Sequence, residues 1–158
     1  MTNAAFVSCL LLASAHATTP SGGAVSPTGK SVSWQGHSYT AAAVADPSQC
    51  PPASLDPGDA VCDHFALTVN VDPSNWDTHV GGAEVTITWA SSDNDFDLYI
   101  YDQNGNLVAA SAAGGTTFER TLVTAASGTY DVVVVPFTVV QSGYQGAAQF
   151  IIQNLSEA

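Results

Sequence analysis

The sequence has 158 residues, enough for one domain with a proper hydrophobic core. Two basic residues stand against fourteen acidic ones, for a net charge of −12, so nucleic-acid backbones and anionic membranes are excluded as partners of the mature chain. Only 10% of residues are charged, and Ser, Thr, Ala, Val and Gly abound, which favours an extracellular β-protein over a cytosolic helical one.

Residues 1–17 are typical of a signal peptide. The apolar stretch from Ala4 to Ala15 is too short to span a bilayer, and Ala15-His16-Ala17 supplies an A-x-A cleavage pattern, so we expect the mature chain to start at Thr18. A retained hydrophobic N-terminus is the alternative, because no Lys or Arg precedes the apolar stretch. Residues 18–31 are rich in Pro, Gly and Ser and predict a flexible arm.

The cysteines also indicate export, to the outside or the surface of a bacterial cell. If Cys9 leaves with the signal peptide, Cys50 and Cys62 remain as an even pair. The Pro/Gly-rich loop between them predicts a disulfide, which would contribute about 3 kcal/mol in the chain-entropy model. A metal-binding pair is the alternative, but it lacks a CxxC motif and a nearby histidine spacing.

Alternating apolar residues predict strands along the rest of the chain. They fall at 32–44, 65–71, 83–89, 96–101, 107–108, 116–124, 128–135 and 144–153, and Asn104-Gly105 predicts a hairpin turn. Val132 to Val135 should be buried on both faces of the sheet, and Pro136 should end or kink its strand. The spacing predicts an all-β domain over 32–158, a two-sheet antiparallel β-sandwich of jelly-roll type with about seven to nine strands.

Catalytic motifs are absent from the sequence, which has neither G-x-S-x-G nor H-E-x-x-H. Asp63 and His64 are neighbours and should point to opposite faces of a strand, so they do not form half of a triad. The glutamates Glu84, Glu119 and Glu157 lie far apart in sequence. We therefore expect a protein that is not an enzyme.

Three aspartates alternate just before a predicted strand. Asp93, Asp95 and Asp97 would share one face, about 7 Å from one to the next, where hard oxygen ligands favour Ca²⁺. The alternative is structural: Asp93 and Asp95 cap a turn, and Asp97 accepts hydrogen bonds from a neighbouring loop. An EF-hand is excluded, because its Gly and Glu positions hold Leu98 and Asn104.

Two short motifs resemble a known family. They are DFDLYIYD at 95–102, followed by NGNLVA at 104–109, and SGTYDVVV at 127–134. Together they are similar to the bacterial pre-peptidase C-terminal (PPC) domain over about residues 64–153, and Asp95 and Asp97 match its motif. The resemblance implies a secreted β-sandwich, usually appended to hydrolases and without catalytic activity, with relatives that bind collagen or carry calcium near the sandwich edge.

Two functions follow from this sequence. In the first, the chain is a structural or adhesive extracellular protein that assembles with copies of itself into a surface fibre, through a donated strand that contains Val32, Trp34, Tyr39 and Val44. In the second, it is an accessory module for glycan or matrix protein. Its aromatic ligand-binding residues would then be Trp76, Tyr99, Tyr101 and Tyr144.

Overall fold

The computed structural model describes residues 17–155 and shows an all-β chain. The predicted signal peptide lies outside the described residues except for Ala17, as do residues 156–158. Eight strands occur in the described part: β1 (Ala17–Val25), β2 (Ser31–Ala42), β3 (Asp63–Val69), β4 (His79–Thr88), β5 (Asp95–Asp102), β6 (Leu107–Ser111), β7 (Phe118–Thr124) and β8 (Gly128–Asn154). Two short 3₁₀ turns, Pro47–Gln49 and Pro73–Asp77, lie between them. The predicted all-β class is confirmed, and none of the described helices is long and apolar enough to cross a membrane.

β8 is the longest strand and organises the others. Its first part pairs with β3 and β5, and its second part pairs with β2 and β4. β6 lies beside β5, and β7 lies beside β4. The strands predicted at 128–135 and 144–153 are therefore parts of one strand. Pro136 does not end it, but lies where β8 changes partners.

Residues 18–25, which were predicted to belong to a flexible arm over 18–31, lie in strand β1. The prediction of a flexible arm is therefore wrong for the part up to Val25. β1 pairs with β3 over Gly22 to Val25, and this pairing is parallel, whereas the predicted sheets were antiparallel throughout. The glycines that suggested a linker are needed for close packing: a Cβ on Gly23 would lie 2.5 Å from Val32 Cγ2. Thr18 and Val25 are both buried.

The main core holds the apolar side chains that the alternation predicted. Phe65 and Trp34 stack with ring centroids 3.9 Å apart, and Phe96 contacts the rings of Trp89 and Tyr144. Val132 to Val135 of β8 are buried on both sides as predicted, because Val132 and Val134 belong to this core while Val133 and Val135 belong to a second cluster.

The second cluster lies under the segment 43–62, which we call the capping loop. Val44, Cys50 and Cys62 pack there with Val133 and Val135. The predicted disulfide joins Cys50 to Cys62. The capping loop therefore covers the outer side of β3, β8 and β5, and the outer side of β2, β8, β4 and β7 has no such cover among the described residues.

Candidate binding face

The outward side chains of β2, β8, β4 and β7 form one surface, which we call the open face. Alternation along each strand turns every second residue outward, and these residues are exposed or half-buried. Its members are Ser31, Ser33, Gln35, Gln145, Ala147, Gln149, Glu84, Thr86, Thr88, Phe118, Arg120 and Leu122. Most carry a hydroxyl or an amide, and Glu84 and Arg120 are the charged members of this set.

The strand register lines these side chains up in rows across the sheet. Gln35 pairs with Gln145, Gln145 pairs with Thr88, and Thr88 pairs with Phe118. The next row ends in Thr86 and Arg120. Because neighbouring strands lie about 4.8 Å apart, each row of four residues spans about 14 Å.

Two adjacent depressions lie along these rows. One, of about 300 Å³, is lined by residues of β2, β8 and the end of β4, including Gln35, Gln145 and Tyr144. The other, of about 410 Å³, is lined by Thr86, Phe118 and Arg120 among others. Both are also lined by Thr88 and Trp89, so together they form a longer, shallow, open surface.

Local contacts fix the geometry of this surface. The indole N–H of Trp89 donates to the carbonyl of Asn94 at 2.9 Å, which holds the ring beneath the two depressions. The amide nitrogen of Gln35 donates to the carbonyl of Tyr144 at 2.8 Å. Phe118 is 48% exposed and places one aromatic ring at the edge of the row.

The four aromatic residues predicted to bind a ligand do not come together. Trp76 packs against Phe150 with ring centroids 5.7 Å apart and donates its indole N–H to the carbonyl of Ala126. Tyr144 is 1% exposed and belongs to the main core. Tyr99 and Tyr101 are half-buried against the cluster under the capping loop. The four residues therefore do not form one aromatic platform, and packing in the core withdraws Tyr144 from solvent.

The predicted assembly strand is built into its own chain. β2 pairs with β8 from Ser31 to Ala42. Trp34 and Tyr39 lie in the main core, and Val44, in the capping loop, packs in the second cluster. Its main-chain and apolar partners are intramolecular, so donation of this segment to a neighbour's sheet, which stays a prediction, would require β2 to leave β8.

Glu119 joins two of the three aspartates predicted to bind calcium. Burial, then the charges of Asp95 and Glu119, raise the pKa of Asp97 to about 6. Burial and Glu119 also raise the pKa of Asp95. Asp93 instead lies on an exposed turn, where its carboxylate accepts a hydrogen bond from the hydroxyl of Ser91.

The predicted calcium ligands Asp93, Asp95 and Asp97 do not converge as one set of metal ligands in the described part of the chain. Among the residues that the structure describes, three side chains of metal-ligand type have their ligand atoms within 4.8 Å of one another: Cys50, Asp59 and Cys62. The two cysteines of this set form the disulfide. The carboxylate of Glu119 accepts hydrogen bonds from the hydroxyl of Ser111 and from Ala113 N–H. Asp95 Oδ1 is buried without a partner, the one sign that points toward a cation. Sequence separation hid Glu119, because only folding brings β7 beside β5.

His64 forms a second electrostatic cluster, on the capped side. Asp63 and His64 do point to opposite faces: Asp63 is fully buried and accepts the His37 N–H. The His64 ring lies 2.9 Å from Asp131 and 3.2 Å from Asp59. His64 therefore connects the capping loop to β8.

The chain is similar to several solved structures. One is the pre-peptidase C-terminal domain of collagenase from Bacillus anthracis, 10% identical with a TM-score of 0.41, covering 81% of this chain and 94% of that one. Another is Aeromonas hydrophila PliG, a periplasmic inhibitor of g-type lysozyme, 14% identical with a TM-score of 0.42, covering 84% and 98%. No family model and no curated protein matches the chain. At these similarity levels, function has to be derived from the chain's own residues.

Proposed function

We propose that the chain is an exported, non-catalytic binding domain whose open face holds a neutral, extended glycan. The row Gln35, Gln145, Thr88 and Phe118, which runs along two adjacent depressions, is the observation that carries the proposal. Export is supported by the A-x-A pattern and by the disulfide, which is typical of oxidising compartments.

The chemistry of this row matches a sugar chain better than other ligands. Amide and hydroxyl side chains can both donate and accept hydrogen bonds, as the hydroxyls of a sugar require. Phe118 offers an apolar ring surface on which a sugar face can stack. A polyanion would be repelled by the net charge of −12.

A protein partner fits this surface less well. The cores of protein interfaces are enriched in aromatic residues and Met, whereas the middle of the open face holds Ala147, Thr86 and Gln149. An extended, hydrated polymer tolerates such a surface, because bridging water contributes nearly as much as direct hydrogen bonds.

Binding of soluble neutral and acidic polysaccharides, measured by affinity electrophoresis and calorimetry, tests this function. We expect retention by a neutral β-glucan and none by polygalacturonate. The double variant Phe118→Ala with Gln145→Ala should weaken binding by about thirty-fold, from two lost contacts of about 1 kcal/mol each. Thr129→Ala, on the capped side of β8, is the matched control. The proposal fails if no neutral polysaccharide binds, or if the double variant binds as the wild type does.

A further inference from the structure

β7 is an edge strand with one side of its backbone unpaired. In the described part of the chain, β7 pairs with β4 alone, while β1 pairs with both β2 and β3. Its seven residues, Phe118–Thr124, keep an uninterrupted register with β4. The other exposed edge, β6, is shorter, and its register with β5 is interrupted between Ile100 and Tyr101.

β7 has only one of the usual protections of a strand edge, an inward charge, and that charge is already hydrogen-bonded within its own chain. Natural edges are blunted by Pro, bulges, inward charges or lysines. β7 has no Pro and no bulge, and its inward Glu119 is already bonded to Ser111 and Ala113. Its outward side is Phe118, Arg120, Leu122 and Thr124, with Phe118 48% and Leu122 39% exposed.

The charges of this edge suit a second copy of the chain. The molecule carries fourteen acidic and two basic residues, so most surfaces of two copies repel each other. Arg120, one of those two basic residues, lies on β7, and the acidic Glu84 lies beside Leu122 on β4. An antiparallel partner at this edge therefore brings a cation toward the carboxylate of the other copy.

We infer that two copies of this chain pair antiparallel through β7, around a two-fold axis at Thr121. In that register Arg120 lies opposite Leu122 of the second copy and next in line to its Glu84, while Phe118 lies opposite Thr124. Identical antiparallel strands give a closed, isologous interface, which stops at a dimer. Main-chain hydrogen bonds supply the affinity, and the charged pair sets the register.

This dimer is a property separate from glycan binding, and it would also enlarge the glycan-binding surface proposed above. The two open faces become one continuous surface in the order β2-β8-β4-β7-β7-β4-β8-β2, in which the depression next to Phe118 of one copy lies about 20 Å, measured along the strands, from that of the other. A single long glycan can then contact both copies, so that the second contact is intramolecular and the overall affinity rises without any new side chain.

Sedimentation equilibrium of the full mature chain, without polysaccharide, tests the dimer. We expect a concentration-dependent dimer that strengthens with salt, because salt screens the net repulsion between copies. Leu122→Lys places a lysine opposite Arg120 of the second copy and should raise the dimer dissociation constant about ten-fold or more. Adding Arg120→Glu restores an opposite-charge pair and should recover dimerisation.

The charge-swapped double variant separates pairing from misfolding. Circular dichroism and thermal melting check that each variant folds, since Leu122 and Arg120 are exposed in the single chain. A wild type that stays monomeric at high micromolar concentration overturns the inference. So does a dimer unaffected by Leu122→Lys, or a double variant that remains monomeric although folded. None of these results depends on glycan binding.

Discussion

At the scale of single residues, Asp97 shows how folding changes the meaning of a motif. In sequence it belongs to a run of alternating acids that imitates a calcium loop. In the structure it is 7% exposed and crowded by Asp95 and Glu119, so that its charged form is disfavoured. Its carboxylate is therefore a source of instability at neutral pH rather than of stability.

Asp97→Asn should stabilise the protein above pH 6. The folded pKa of about 6 lies above the unfolded value of 3.8, so the unfolded state releases its proton first. The contribution of Asp97 to stability is full below pH 3.8 and is lost as pH rises through 6. We expect the variant to gain up to about 3 kcal/mol in the free energy of unfolding at pH 7 and little at pH 4.

Urea denaturation from pH 4 to pH 8 measures this gain, with Asp93→Asn on the exposed turn as the matched control. A variant that is less stable at pH 7 would contradict the electrostatic account. If added calcium then stabilised only the wild type, the carboxylates would instead be cation ligands.

At the scale of elements, the capping loop is closed on itself by its disulfide, and His64 and Asp131 attach it to β3 and β8. Ala53 N–H donates to Asp131 at 2.7 Å, and His64 lies between Asp131 and Asp59. Burial lowers the pKa of His64. The hydrogen bonds that His64 makes to Asp131 and Asp59, together with the negative charges of these two aspartates, outweigh burial, so the pKa of His64 is raised. Tyr101, beneath the loop, has its pKa raised by burial and by Asp131, and so stays neutral near pH 7.

The capping loop should loosen as pH rises. His64 has a raised folded pKa, so its contribution is full below the unfolded value of 6.5 and is lost as pH rises through the folded value. Deprotonation then leaves Asp59 and Asp131 without the cation between them. We expect backbone amide protection in residues 50–62 to fall between pH 6 and pH 9.

Hydrogen exchange with mass spectrometry, corrected for intrinsic rates, measures this protection. His64→Gln should lose the pH dependence, and His79→Gln, at the far end of β4, should keep it. A pH dependence that survives in His64→Gln would assign it to another group.

The sequence predicted well those elements whose structure depends on residues close to one another in the chain. Phe65, Leu67 and Val69 alternate with outward residues, and the hairpin at Asn104-Gly105 depends on its own turn residues. β1 was not predicted because a Gly-rich segment is typical both of a flexible linker and of a closely packed strand. The contacts that distinguish the two, those of Gly23 with Val32 and Phe65, form only in the folded chain. The open face was missed for a related reason, since its rows are set by register between four strands.

At the scale of the whole molecule, β1 and β8 join the two groups of pairings. β8 passes from β3 and β5 to β2 and β4, and β1 touches β2 on one side and β3 on the other. The chain is therefore closed along the side of β1 and ends in strand edges at β6 and β7. A flexible N-terminal arm would leave β3 as a further edge.

The variant Gly23→Val should distinguish a chain in which β1 packs between β2 and β3 from one in which residues 18–25 form a flexible arm. In the structure, an added Cβ at Gly23 would lie 2.5 Å from Val32 Cγ2 and 3.3 Å from the ring of Phe65. Overpacking of this kind costs about 1 to 3 kcal/mol, which we expect to appear as a lower free energy of unfolding in urea. Thr28→Val, on the exposed turn between β1 and β2, introduces the same residue in place of an exposed side chain that is already β-branched, and should change stability by less than about 0.5 kcal/mol. Equal stability of the two variants would mean that β1 does not pack between β2 and β3 in solution.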